Sequence, residues 1–214
     1  MKKIIIIDDH QLLREGINSW VSGNSDWQIL AKLGNLEEVK TFIESYKPSQ
    51  TDCVIAIVDL SFKVSGVNTE KLYGFEILKM FNNPELNIKT LVYSSHESGG
   101  IIAHSLSKEI GACGYVSKNS DCDTILCALE AIAKGDKFIQ QNLITSYINA
   151  QAKINLLTNR EQEVLNCVFA KYTNDEIAKN MNISKRSVEN YLSRIYDKTG
   201  TNNKQQLLEY LEEN

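Results

Sequence analysis

The sequence predicts an α/β fold, a (βα)5 doubly wound parallel sheet, followed by a separate all-α domain. Three observations carry this prediction. Five short apolar runs, at 3–7, 27–33, 53–58, 90–93 and 112–116, recur between segments with helical spacing. Strands alternating with helices of about 10 to 15 residues mean repeated βαβ units, and so a parallel sheet covered on both faces. The runs are also continuous rather than alternating, as in strands buried on both sides. Beyond residue 155 the apolar pattern is helical only.

Each element has its own signal. After the first run, Leu12, Leu13, Ile17 and Val21 fit one helix face. Leu36, Val39, Phe42 and Ile43 form a second face, and Leu72, Phe75, Ile77, Leu78 and Phe81 a third. Ile101, Ile102, Ser105 and Leu106 make a fourth. The fifth is Ile125, Leu126, Leu129 and Ile132, capped by Ser120 or Asp121 and stopped by Gly135. Residues 138 to about 154 are rich in Gln and Asn with one short apolar pattern (Leu143, Ile144, Tyr147, Ile148), which reads as a tether with one short helix. The expected domains are therefore 1–135, a linker at 136–154, and 155–214.

Length and composition set limits. The 214 residues suit one domain of ordinary size and a small one. No apolar run approaches the roughly 20 residues that span a bilayer, and Asp8 and Asp9 cut the first run far short of a secretory core, so a cytoplasmic protein with no membrane partner is expected. Five cysteines, Cys53, Cys113, Cys122, Cys127 and Cys167, show no metal or disulfide spacing. The net charge of −4 argues against a protein coated in positive charge but leaves room for a local nucleic-acid surface.

The polar residues at the strand ends carry the chemistry. Strand one ends in Asp8-Asp9, strand three in Asp59 and strand four in Ser94, and strand five is followed by Lys118. In a parallel sheet these ends share one rim, where ligands bind. Crowded carboxylates repel each other, and Mg²⁺ resolves the conflict with oxygen ligands while keeping waters and phosphate oxygens. Lys118 offers a point charge for a phosphoryl oxygen, and the Ser94 hydroxyl can donate to another. Such a site suits accepting a phosphoryl group on a carboxylate. The loop after strand one has no Gly-x-Gly-x-x-Gly and no Walker lysine, which excludes a dinucleotide or nucleoside triphosphate site of those types.

Ile4-Ile5-Ile6-Ile7-Asp8-Asp9-His10, Val58-Asp59-Leu60, Val92-Tyr93-Ser94-Ser95 and Gly114-Tyr115-Val116-Ser117-Lys118 together resemble the receiver domain of two-component response regulators, a flavodoxin-like fold. The resemblance implies that a histidine kinase phosphorylates Asp59. It implies that Asp8, Asp9, Asp59 and the backbone carbonyl of Ser61 place Mg²⁺, directly or through water. Ser94 and Tyr115 would form the switch pair, the hydroxyl moving toward the phosphoryl group as the ring changes rotamer. Two loops depart from the pattern: Ser61 to Thr69 is long and lacks a customary proline, and Ser95 to Gly100 is longer than usual by about two residues. Both flank the acceptor.

In the C-terminal part, Thr158-Asn159-Arg160-Glu161 and Thr173-Asn174-Asp175-Glu176 are capping boxes, each opening a helix. Ser184 caps a third helix that Gly200 ends, with Val188, Leu192 and Ile195 inward, and residues 203–212 form a fourth. Two helices joined by a tight turn, the second bearing Lys185, Arg186, Arg194 and Lys198 against Glu189 and Asp197, read as helix-turn-helix. A solvated helix face has the same charges, and the segment 155–214 has a net charge of only −1.

The stretches Leu157-Thr158-Asn159-Arg160-Glu161-Gln162-Glu163-Val164-Leu165, Asn174-Asp175-Glu176-Ile177-Ala178 and Ile183-Ser184-Lys185-Arg186-Ser187-Val188-Glu189-Asn190-Tyr191-Leu192 resemble the LuxR/NarL-type DNA-binding domain. That implies double-stranded DNA as partner, read in the major groove by Glu189, Asn190 and Ser193. Lys185, Arg186, Ser187, Arg194 and Lys198 would hold phosphates, and the last helix would carry a homodimer contact. Glu189 stands where that family often has a basic residue, and Tyr191 where it often has His. The expected function is a phosphorylation-controlled, dimerising transcription regulator and not an enzyme. The alternatives are a helix-turn-helix regulator whose receiver is a phosphorylation-independent interaction module, and a small-substrate phosphotransferase or phosphatase. The absence of a second carboxylate two residues after Asp59 opposes the last.

Overall fold

The computed structural model describes residues 1–49, 51–62 and 72–212. It contains six parallel strands in one sheet, in the order β2-β1-β3-β4-β5-β6: β1 (Lys2–Ile7), β2 (Gln28–Leu33), β3 (Cys53–Val58), β4 (Ile88–Ser94), β5 (Gly114–Ser117) and β6 (Phe138–Ile139). Between them run α1 (Gln11–Asn24), α2 (Leu36–Ser45), α3 (Gly74–Phe81), α4 (Gly99–Ser105) and α5 (Cys122–Lys134). The continuous apolar runs have the burial they imply. Ile4, Ile5, Ile55, Ala56, Val58 and Leu91 are fully buried. Successive side chains point to opposite faces of a strand, so a run buried at every position needs cover on both. Ile4, Ile6, Ile55 and Ile57 pack with Val21 of α1 and Ile125, Leu129 and Ile132 of α5 on one face. Each such side chain contributes about 1.5–3 kcal/mol by leaving water.

Some expectations shift in detail. Of the apolar set on α1, Ile17 and Val21 are buried but Leu12 is 89% exposed. Asp121, rather than Ser120, caps α5, its carboxylate accepting from the Thr124 amide. Phe138 and Ile139, inside the stretch read as a tether, pair with Gly114 and Tyr115 as the edge strand β6. Two residues carry too little periodicity to announce a strand, and only the neighbouring edge of β5 makes one of them. The short helix expected in that stretch is α6 (Ile144–Ile154).

The chain divides into two compact units, one of Met1–His96 and Ser105–Gln140, the other of Glu97–His104 and Gln141–Asn214. The second unit contains α6, α7 (Asn159–Phe169), α8 (Asn174–Asn180), α9 (Lys185–Thr199) and α10 (Lys204–Glu212). Both capping boxes are complete, with Thr158 and Glu161 on α7 and Thr173 and Glu176 on α8 exchanging side-chain and backbone bonds. Ser184 caps α9, and Gly200 ends it in the left-handed region at φ 69°. Val164, Leu165, Ile177, Val188, Ile195 and Leu207 are buried and form its core. The segment 97–104 packs into this unit through backbone that only glycine allows. A Cβ on Gly99 would meet the Ser146 carbonyl oxygen at 2.1 Å, and one on Gly100 the Phe169 ring at 2.5 Å. His104, 3% exposed, stacks on the same ring with centroids 5.7 Å apart.

Candidate functional site

The rim of the sheet is built by strand adjacency. Because β1, β3, β4 and β5 are successive parallel neighbours, the residues just past their carboxyl ends come together. Asp8 and Asp59 are each 2% exposed, and the Lys118 ammonium stands between them, 2.7 Å from Asp8 Oδ2 and 2.9 Å from Asp59 Oδ2. The loops hold the carboxylates in place. Asp8 Oδ1 accepts from the His10 amide at 2.7 Å, and Asp59 Oδ1 from the Ser61 amide at 3.2 Å. Arg14, one turn into α1, donates to the Asp8 carbonyl at 2.5 Å. Gly74 at the start of α3 lets that helix press against the loop after β3. A Cβ there would meet the Asp59 carbonyl oxygen at 2.3 Å and the Leu60 Cα at 2.4 Å.

Burial and charge act in opposition on Asp59 and Lys118. Burial pushes the Asp59 carboxyl above the ordinary carboxylate value, against the pull of Lys118. Burial alone would lower Lys118, but Asp8 and Asp59 together hold its ammonium above the ordinary lysine value. Asp9 Oδ1 and Asp59 Oδ2 are buried and accept no hydrogen bond among the described residues, Lys118 facing the latter as an ion pair. Ligand atoms of Asp8, Asp9, His10 and Asp59 all lie within 4.8 Å of one another. Crowded carboxylate oxygens with unused lone pairs suit a hard cation such as Mg²⁺. The His10 ring is 3.1 Å from Asp8 Oδ1 and acts there as a hydrogen-bonding neighbour.

Two hydroxyl-bearing side chains are buried beside this cluster. Ser94 and Tyr115 are both fully buried. The Ser94 hydroxyl accepts from the His96 amide at 3.3 Å, and the Tyr115 hydroxyl donates to the His96 carbonyl at 2.6 Å. The His96 ring reaches the Ser61 hydroxyl at 3.1 Å. His96 thus joins the two loops that depart from the receiver pattern, of which residues 63–71 lie outside the described residues. Sequence reading placed His96 near the rim with a local hydrogen-bonding role but left Arg14 and Gly74 unassigned. Nothing in their spacing marks them, since each acts through a loop that another strand brings close.

The helix-turn-helix is formed by α8 and α9. Asn182 in the turn adopts φ 53°, a left-handed conformation that asparagine tolerates. With Val188, Leu192 and Ile195 buried, α9 turns Arg186, Glu189, Asn190, Ser193 and Arg194 to solvent. Arg186, Asn190 and Ser193 recur at i, i+4 and i+7, one row along the helix, and Asp197 extends it. The cations differ in freedom. Lys185 pairs with exposed Asp175 at 3.0 Å, and Arg194 lies over the Tyr191 ring, 5.9 Å from its centroid. Lys198 instead binds Glu161 Oε2 at 2.7 Å, a carboxylate only 4% exposed.

Residues 155–211 match the family model described as bacterial regulatory proteins, luxR family. The last quarter of this chain is therefore a luxR-type regulatory domain. The transcriptional regulatory protein DegU of Brevibacillus brevis is 27% identical over 226 residues, covering 95% of this chain and 90% of that one. The oxygen regulatory protein NreC of Staphylococcus aureus is 27% identical over 220 residues, covering 97% and 95%. Among solved structures, RcsB from Salmonella enterica serovar Typhimurium, bound to a promoter in the presence of phosphomimetic BeF3−, has TM-score 0.67 at 22% identity, covering 99% and 98%. RcsB described as two dimers bound to two parallel DNAs has TM-score 0.63 at 23% identity, covering 98% and 97%. These structural likenesses show the fold, a parallel-sheet unit followed by helices. No described helix is long and apolar enough to cross a membrane.

Proposed function

We propose that this response regulator accepts a phosphoryl group on Asp59 from a histidine kinase and in response dimerises and binds promoter DNA to regulate transcription in the cytoplasm. Residues 1–135 act as receiver, 136–154 as linker and 155–214 as the DNA-binding domain. The observation that carries the reading is the Lys118 ammonium held at 2.7 Å and 2.9 Å from Asp8 and Asp59. That is a cation set between an acceptor carboxylate and a second carboxylate, with hydroxyl Ser94 on the next strand.

In the transfer, an Asp59 oxygen bonds to phosphorus while the P–N bond to the donor imidazole breaks. The imidazole leaves as a neutral group by taking up a proton. Lys118 meets the new negative charge, and Ser94 is positioned to donate to a phosphoryl oxygen once its hydroxyl swings from its bond with the His96 amide. Asp8, Asp9, Asp59 and the Ser61 carbonyl would hold Mg²⁺, which supplies charge neutralisation at the phosphoryl oxygens. Tyr115, tied to the His96 carbonyl, couples the occupancy of Ser94 to the loop that follows β4. Phosphorylation biases a two-state equilibrium in this way.

At the DNA, Glu189, Asn190 and Ser193 address base edges while Lys185, Arg186, Ser187 and Arg194 meet phosphates, the usual division of labour. The last helix, α10, carries the dimer contact. The direct test is labelling by acetyl phosphate with Mg²⁺. Wild type should take up one phosphoryl group per chain and Asp59→Asn none; equal labelling of the two would remove Asp59 from the site.

A further inference from the structure

Lys198 stands on the recognition helix, where a lysine is expected to meet a DNA phosphate, yet its ammonium is already engaged. It is 2.7 Å from Glu161 Oε2. The same oxygen accepts the Thr158 backbone amide at 2.7 Å. Glu161 is the N3 residue of the capping box that opens α7, so one carboxylate oxygen serves both the N-terminus of α7 and the last turn of α9. The carboxylate is 4% exposed on its side chain, and the lysine 38%. Burial pushes Glu161 up, but Lys198 and the Thr158 amide and hydroxyl draw it below the ordinary glutamate value. Pulling Lys198 out to a phosphate would strand a buried carboxylate, and an unpaired buried charge is costly.

Geometry sets Lys198 apart from the other cations of α9. Lys185 pairs with Asp175, whose side chain is 72% exposed, and can leave it freely. Arg194 is an exposed residue that lies over the Tyr191 ring and has no carboxylate to give up there. Arg186 is exposed in the row with Asn190 and Ser193. Lys198 lies three residues past the buried Ile195, and its partner carboxylate is buried. Each end of the bond also complements a helix dipole, the acid at the start of α7 and the cation at the end of α9.

We infer that Lys198 is a positioning residue: it ties the end of the recognition helix to the capping box of α7 and does not neutralise a DNA phosphate. The expected phosphate set then loses one member, and the angle at which α9 presents Arg186, Asn190 and Ser193 depends on Glu161, a residue that faces the core. This inference rests on the DNA-binding reading above, and the test separates the two.

Binding of the full chain to a mixed-sequence DNA duplex is measured by fluorescence anisotropy across a range of salt concentrations. The slope of log affinity against log salt counts the phosphates neutralised, at about 0.9 per contact. Arg186→Gln should flatten the slope by about 0.9, whereas Lys198→Gln should leave it unchanged while lowering the melting temperature of the DNA-free protein. Glu161→Gln should lower the melting temperature similarly, and the double variant should cost less than the sum of the two. A slope flattened by about 0.9 in Lys198→Gln, with unaltered melting, overturns the inference. Should Lys198→Gln not fold, the ammonium resonance of Lys198 in the wild type decides. It should remain unmoved when DNA is added, and a shift like those of DNA-contacting side chains overturns the inference. If wild type shows no salt-dependent binding at all, the DNA-binding reading itself fails, whatever Lys198 does.

Discussion

The Tyr115 hydroxyl donates to the backbone carbonyl of His96 at 2.6 Å, and the His96 amide donates to the Ser94 hydroxyl at 3.3 Å. One residue thus receives Tyr115 on its carbonyl and engages the Ser94 hydroxyl through its amide. Tyr115→Phe keeps the buried ring and removes only the first bond, at a cost of about 1 kcal/mol. The expected outcome is normal acetyl-phosphate labelling of Asp59 with weakened phosphorylation-dependent dimerisation, measured by light scattering. A variant that dimerises like wild type would detach Tyr115 from the output.

Lys118 is the counter-ion of two buried carboxylates. Lys118→Ala leaves them facing each other, a loss of about 3 kcal/mol on the scale of a broken buried pair. Mg²⁺ should then restore more stability to the variant than to wild type, because it binds the folded state and replaces the missing charge. Thermal melts with and without Mg²⁺ measure this, and an equal shift in both proteins would speak against a cation site at Asp8, Asp9 and Asp59.

Gly100 faces the Phe169 ring so closely that a Cβ would sit 2.5 Å from it. Phe169 is 2% exposed and cannot yield outward. Gly100→Ala should therefore cost about 1–3 kcal/mol as an overpacked contact. Gly135→Ala is the contrasting control: no atom lies within 4 Å of the added Cβ, and its penalty comes instead from φ 97°. Denaturant unfolding of the two variants compares a steric with a conformational loss.

The helical unit carries a pH dependence of known sign. Glu161 titrates below the ordinary 4.5 in the folded chain. Between its lowered folded value and 4.5 the unfolded chain binds more protons, so stability rises with pH there. The pair contributes fully above 4.5 and is lost as pH falls through the folded value. Glu161→Gln should flatten the acid limb of a melting-temperature profile below that point, and an unchanged limb would show that the pair adds nothing.

The cap of α7 is a separate handle. Thr158 accepts the Glu161 amide and completes the capping box. Thr158→Ala should cost about 1 kcal/mol, and Thr158→Ser much less, because serine restores the oxygen. Circular dichroism melts of the pair test whether the hydroxyl or the methyl group matters.

The sequence by itself determined the alternation of strands and helices, because burial on both faces forces unbroken apolar runs such as 53–58 and helical faces force their own spacing. It also determined that Asp8, Asp59, Ser94 and Lys118 share a rim, since parallel strands place every carboxyl end on one side. The starts of α7, α8 and α9 were legible because Thr158, Thr173 and Ser184 cap locally, within three residues. Only the tertiary structure decided the rest. The pairing of Phe138–Ile139 with β5, the packing of Gly99 and Gly100 against Ser146 and Phe169, and the binding of Lys198 to Glu161 each join groups tens of residues apart or more. No local propensity encodes which distant surface a glycine will press against, or which of four lysines and arginines will find a buried carboxylate. Those choices belong to the close packing of the finished core, where each contact exists only because the others do.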